Sequence, residues 1–135
     1  MSKHELSLED AQRNREKCRK ILDLSIKIRY VAVVNKFGRT LAGQLRIGII
    51  PLLQADEVRN ECFIEATRFQ LRKNFESSIG KTEFTLTENA KVKTLTLANH
   101  NNNNYYYITI EKDTIEPDLE SIIKSVMTFL INLND

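Results

Sequence analysis

Two apolar runs joined by a short polar turn dominate the hydropathy pattern. Ile28-Arg29-Tyr30-Val31-Ala32-Val33-Val34-Asn35 is nearly unbroken, and Arg39-Thr40-Leu41-Ala42-Gly43-Gln44-Leu45 follows Lys36-Phe37-Gly38. The first run lacks clean alternation, which marks a strand covered on both faces. Gly38 supplies the left-handed residue that a tight turn favours. The pattern predicts a hairpin whose first strand lies inside the sheet. Gly43, late in the second strand, predicts a bulge or a close backbone approach.

Helical spacing brackets the hairpin. Ser7-Leu8-Glu9-Asp10 resembles a helix start, with Ser7 as N-cap and an acidic residue three positions on. Leu8, Ala11, Cys18, Ile21, Leu22 and Ser25 recur at helical spacing to about Ile26. The opposite face carries Arg13, Lys17 and Lys20, which reads as a solvated face or as a surface for an anionic partner or membrane. A second, longer helix runs from Ala55 or Asp56 to Ile79, with Gly80 just beyond its end. At about 100° per residue, Ala55, Val58, Cys62, Ala66 and Phe69 gather on one arc. Ile64, Leu71, Phe75 and Ile79 gather on another, roughly 140° away, with Phe63 between the arcs on the far side. One arc suffices to dock on a sheet. The second implies another partner, elsewhere in the chain or in another subunit.

Three strands and a helix complete the chain. Phe84 and Leu86 alternate with Glu83, Thr85 and Thr87; Lys93-Thr94-Leu95-Thr96-Leu97 alternates again; Tyr105-Tyr106-Tyr107-Ile108-Thr109-Ile110 is the strongest signal. The Asn101–Asn104 run predicts a hairpin tip, because Asn tolerates turn conformations. Pro117 opens a last helix with an apolar stripe of Leu119, Ile122, Ile123, Val126, Phe129, Leu130 and Leu133. Between the hairpin and the long helix, Arg46-Ile47-Gly48-Ile49-Ile50-Pro51-Leu52-Leu53 is too apolar for an ordinary link. It either packs over an end of the sheet or faces a partner.

Composition narrows the functional classes. The 135 residues fit one domain spanning 1–135. A net charge of +2 does not point to nucleic acid. No apolar run approaches the ~20 residues of a membrane span. With no secretory h-region near the N-terminus, a cytoplasmic protein is expected. Cys18 and Cys62 fall on helices and read as buried structural thiols.

Catalytic and cofactor signals are not found. Gly80-Lys81-Thr82 matches the end of a P-loop, but Phe75 stands where the motif needs Gly and a helix precedes it. His4 and His100 lie in a terminus and a turn, without spaced metal-ligand partners. The three tyrosines point alternately to opposite faces, so core packing outweighs base stacking. No catalytic residue, cofactor or metal is therefore assigned.

The order helix, strand, strand, long helix, three strands, helix resembles the roadblock/LC7 (profilin-like) domains over nearly the whole chain, with Ile28–Ala42 similar to their first hairpin. Gly38, Leu41-Ala42-Gly43, Gly48–Leu53, Phe75, Ser78 and Gly80 are closer still to a group of small uncharacterised archaeal proteins. The roadblock resemblance implies an α+β fold with a five-stranded antiparallel sheet in the order 2-1-5-4-3. It places the first and last helices on one face and the long helix on the other. It further implies a non-enzymatic homodimer formed through the long helix and the edge third strand, serving as a platform for a small GTPase or signalling partner. The expected interface is Phe63, Ile64, Leu71, Phe75, Ile79 and Phe84. Arg68 and Lys73 border it, so acidic groups such as Glu65 or Glu76 would have to face them. The alternative is a small-molecule sensor that uses the sheet and the 47–53 link as a lid.

Overall fold

The structure, a computed structural model, describes residues 3–133, with side chains from Leu8 onward. Its elements are α1 (Lys3–Leu22), β1 (Ile28–Val34), β2 (Thr40–Leu45), α2 (Ala55–Arg72), a 3-10 turn (Lys73–Phe75), α3 (Glu76–Ile79), β3 (Phe84–Glu88), β4 (Val92–Asn99), β5 (Asn104–Glu111) and α4 (Asp118–Ile131). All five strands form one antiparallel sheet in the order β2-β1-β5-β4-β3, as the resemblance implies.

Strand geometry divides the apolar residues into two cores. Successive side chains on a strand point to opposite faces. Val31, Val33, Leu95, Leu97, Tyr106 and Ile108 face α1 and α4, joining Cys18, Ile21 and the α4 stripe of Leu119, Ile122, Ile123, Val126 and Leu130. Ala32, Val34, Tyr105 and Tyr107 face α2, meeting Cys62, Ala66 and Phe69. Both flanks of β1 are paired, one by β2 and the other by β5, and Val31 to Val33 are fully buried. The unbroken apolar run therefore follows from a strand that has helices on both sides.

The turn Asn35–Arg39 is organised by Asn35, whose Oδ1 accepts from the N–H groups of Phe37 and Arg39 at 3.0 Å. Gly38 sits there at φ +85°, under Phe63. A Cβ on Gly43 would lie 2.1 Å from the Tyr30 hydroxyl, which is the close approach expected there.

Several boundaries differ from the sequence reading. The backbone is already helical at Lys3, so Ser7 does not open α1; the side chains of Ser7 and His4 lie outside the described residues. The helix ends at Leu22 rather than near Ile26. The long helix is not continuous to Ile79: α2 stops at Arg72 and tightens through a 3-10 turn before α3. Asn74 Nδ2 donates to the Leu71 carbonyl at 3.1 Å, a local side-chain bond of the kind that competes with helical pairing. Ala55 is exposed and does not join the sheet-facing arc. Pro117 precedes α4 as its N-cap, and of the stripe that follows Leu119, Ile122, Ile123, Val126 and Leu130 are buried, with Phe129 and Leu133 partly so.

The link after β2 does not pack down. Ile47 is 97% and Ile50 82% exposed. The link is nevertheless tethered. Arg46 donates from Nε to the Ile28 carbonyl at 2.7 Å and from a terminal nitrogen to the carbonyls of Ser25 (2.6 Å) and Leu22, while Arg29 donates to Ile50 O at 2.8 Å.

Candidate self-association surface

The sheet-facing side of α2 is complete. Val58, Cys62, Ala66 and Phe69 lie against the sheet, and Phe69 stacks on Tyr105 with ring centroids 4.9 Å apart. Gln70 Nε2 donates to the Tyr105 hydroxyl at 2.5 Å. Burial raises both cysteine thiols, Cys62 to about 11 and Cys18 to about 12, consistent with packed rather than reactive sulfur.

One charge is also drawn under α2. Glu65 is buried, accepting from Arg68 at 3.2 Å and from the Thr85 hydroxyl at 3.4 Å. It thus ties α2 to β3 within one chain and is not free to face an Arg68 across an interface. Its neighbour Glu61 is pushed above its ordinary value by burial and by Glu65.

Among the described residues, the outer side of α2 is left exposed. Ile64 (51%) and Leu71 (62%) sit seven residues apart on one stripe, and Phe75 (52%) and Ile79 (73%) continue the exposed apolar surface past the helix break. Arg72 lies over the Phe75 ring, 5.7 Å from its centroid. Phe63 is exposed too, but lies on the flank of α2 against Gly38 of the hairpin turn. Phe84 is elsewhere. It pairs with Leu97 on β4, so it faces the α1 and α4 side of the sheet at its free edge. Ile64, Leu71, Phe75 and Ile79 are thus all exposed along α2 and the short segments that follow it, Phe63 is exposed on the flank of α2, and Phe84 is partly exposed on the edge strand.

The other candidate groups stay apart. His100 is exposed in the β4–β5 turn. Among the described residues, no group of three or more His, Cys, Asp or Glu is placed to hold a metal ion, and no helix is long and apolar enough to cross a membrane. Tyr105, Tyr106 and Tyr107 are all buried in the two cores.

No family model and no curated protein matches the sequence. Solved structures do match the fold. An MglB in a tetrameric arrangement superposes with a TM-score of 0.70 at 10% identity, covering 90% of this chain and 87% of that one. Myxococcus xanthus MglB gives 0.64 at 12% identity, covering 94% and 96%. A roadblock/LC7 domain from Streptomyces avermitilis gives 0.60 at 8% identity, covering 87% and 98%. With the strand order and the two helical layers, these neighbours show that the chain has a roadblock/LC7-like fold.

Proposed function

We propose that residues 1–135 act as one non-enzymatic interaction domain, and that two copies associate through the outer side of α2. The observation carrying this reading is the row Ile64, Leu71, Phe75 and Ile79, left in solvent although the inner side of the same helix is fully packed. An 18-residue helix spans about 27 Å, enough for the core of a standard-sized interface.

The helix is also charge-polarised. Asp56 and Glu57 lie in its first turn, while Arg68 and then Lys73 lie at its far end. Antiparallel packing about a two-fold axis sets the acidic end of one helix against the basic end of the other. Arg68 is already paired with Glu65 of its own chain, and this packing relieves the like-charge problem at Lys73 without calling on Glu76. The free edge of β3 extends the same surface, since an edge strand offers an unpaired row of backbone groups. The neighbour described as tetrameric supports self-association as a property of this fold. We place the assembled pair in the cytoplasm, and the roadblock resemblance implies a small GTPase as the partner docked on it.

Light scattering at micromolar concentration tests the reading. The unaltered chain is expected at twice the mass of one copy, and Leu71→Glu or Phe75→Glu at the mass of one, with an unchanged circular dichroism spectrum. A single-copy mass for the unaltered chain, or an unchanged mass for both variants, would overturn it.

A further inference from the structure

A crevice of about 750 Å³ opens between the C-terminal end of α2, the Gly80–Glu83 linker, the start of β3 and the β4–β5 turn. Arg72, Lys81 and His100 line it from three separate segments, with Ile79 and Phe84 as apolar wall and Glu83 as the one carboxylate among the lining residues. Among the described residues, neither Arg72 nor Lys81 has a carboxylate within ion-pair distance, whereas Arg68, one turn earlier, is paired with Glu65. Two unpaired cations in one concavity raise the local concentration of an anion more than the same cations spread on a convex surface.

The donor chemistry selects among anions. A guanidinium offers a planar fork, an ammonium a point charge, and an imidazole a further N–H. Donors carried on three separate segments suit an anion with several oxygens spread in space, as in a phosphoryl group, better than a planar carboxylate. Gly80-Lys81-Thr82 takes part without being a P-loop: it follows a helix and precedes a strand, so side chains rather than a backbone nest meet the anion. The volume lies in the range of small-ligand sites, and Ile79 and Phe84 offer a surface for carbon.

We propose that this crevice binds a small organic phosphate, its phosphoryl group between Arg72 and Lys81 and its carbon body against Ile79 and Phe84. The site does not rest on the self-association reading, although it shares Ile79 with the exposed row and its Arg72 packs over Phe75 of that row.

Calorimetric titration of the full chain with phenyl phosphate and with inorganic phosphate at low ionic strength tests this. Phenyl phosphate is expected to bind saturably at one site per chain and more tightly than inorganic phosphate. R72Q and K81Q should each weaken it about tenfold, the scale of one lost charge-assisted bond. F84A should narrow the gap between the two probes, and E83Q should tighten both by removing the opposing charge. Absence of saturable binding, or binding indifferent to R72Q, K81Q and E83Q, would overturn the proposal. Light scattering on R72Q/K81Q separates the two readings, because that variant keeps Leu71 and Phe75. Lost phosphate binding at unchanged mass assigns the effect to the crevice, and retained binding at changed mass refutes it.

Discussion

Truncating Arg46 to alanine removes a clamp that joins three parts of the chain. The guanidinium holds the carbonyls of Leu22 at the end of α1, Ser25 in the following turn and Ile28 at the start of β1, while the Arg46 N–H donates to Arg29 O at 2.8 Å. A hydrogen bond involving a charged donor contributes about 1.5–3 kcal/mol. Three bonds made by one partly buried side chain do not add, because water reaches some of the released carbonyls and the bonds share one rigid group. The expected loss is therefore about 2–3 kcal/mol, which for a chain of this size corresponds to a melting point lower by about 6–12 °C. Arg46→Lys keeps the charge but presents a single nitrogen, so it should recover less than half of the loss. Urea denaturation followed by circular dichroism measures both variants. The midpoint should fall at constant slope, since the clamp affects stability and not the surface exposed on unfolding. Arg59→Ala, on an exposed position of α2, serves as the control and should stay within about 0.5 kcal/mol. If R46A matched that control, or R46K matched the unaltered chain, the clamp would not be holding α1, β1 and the link together.

Three further outcomes follow from named contacts. Gly43→Ala drives a Cβ into the Tyr30 hydroxyl and forces that ring from its edge contact with Tyr107, at a cost of about 1–3 kcal/mol; denaturation of G43A and G43A/Y30F should show partial recovery in the double variant, and equal loss would refute the clash. Cys18 and Cys62 should resist a thiol reagent at pH 8 in the folded chain and react in urea, and rapid native modification would contradict their burial and raised thiol values. Glu88 is held below the ordinary carboxylate range by hydrogen bonds from Lys112 and Lys93, so its contribution is present above the unfolded value and lost as pH falls through the folded one. Melting curves should place E88Q below the unaltered chain at pH 7, with the gap closing under acidic conditions; a gap independent of pH would refute the linkage.

Legibility in the sequence tracked how local each constraint is. Ile28–Val34 and Tyr105–Ile110 announced themselves because both faces are covered, and the α4 stripe because its period repeats for fourteen residues. The break after Arg72 does not show in the periodicity, because the apolar spacing continues through the 3-10 turn where Asn74 Nδ2 meets the Leu71 carbonyl. The fate of the 47–53 link depended on Arg46 and Arg29 meeting carbonyls that no pattern of spacing specifies. Within the candidate surface, a helical wheel groups Ile64 with Leu71 correctly, because both obey one axis. It says nothing about Phe84, whose face is fixed by its register against Leu97. Along the chain Lys81 stands in an incomplete P-loop match, His100 in a turn and Arg72 in a helix, and only the folded sheet beside the end of α2 places all three on one crevice.

The sheet order explains why exposed apolar groups concentrate where they do. β1, β5 and β4 are interior strands, and the Tyr105–Tyr107 run is buried alternately under α2 and under α1 and α4. Those side chains are spent on the core and cannot serve a partner without unfolding. β3 is left at one edge with Phe84 and Leu86 partly bare, and α2 covers its sheet face while presenting a second apolar side outward. Ile47, Ile50 and Leu52 are exposed together on the link after β2, an irregular stretch in which no helical repeat calls for a special account. Ile64 and Leu71 do need one. They repeat at helical spacing, Phe75 and Ile79 carry the same surface beyond a break in the helix, and the side opposite them is already full. An apolar row that persists across a change of backbone geometry is hard to ascribe to chance composition, and a second surface of matching shape is its simplest physical explanation.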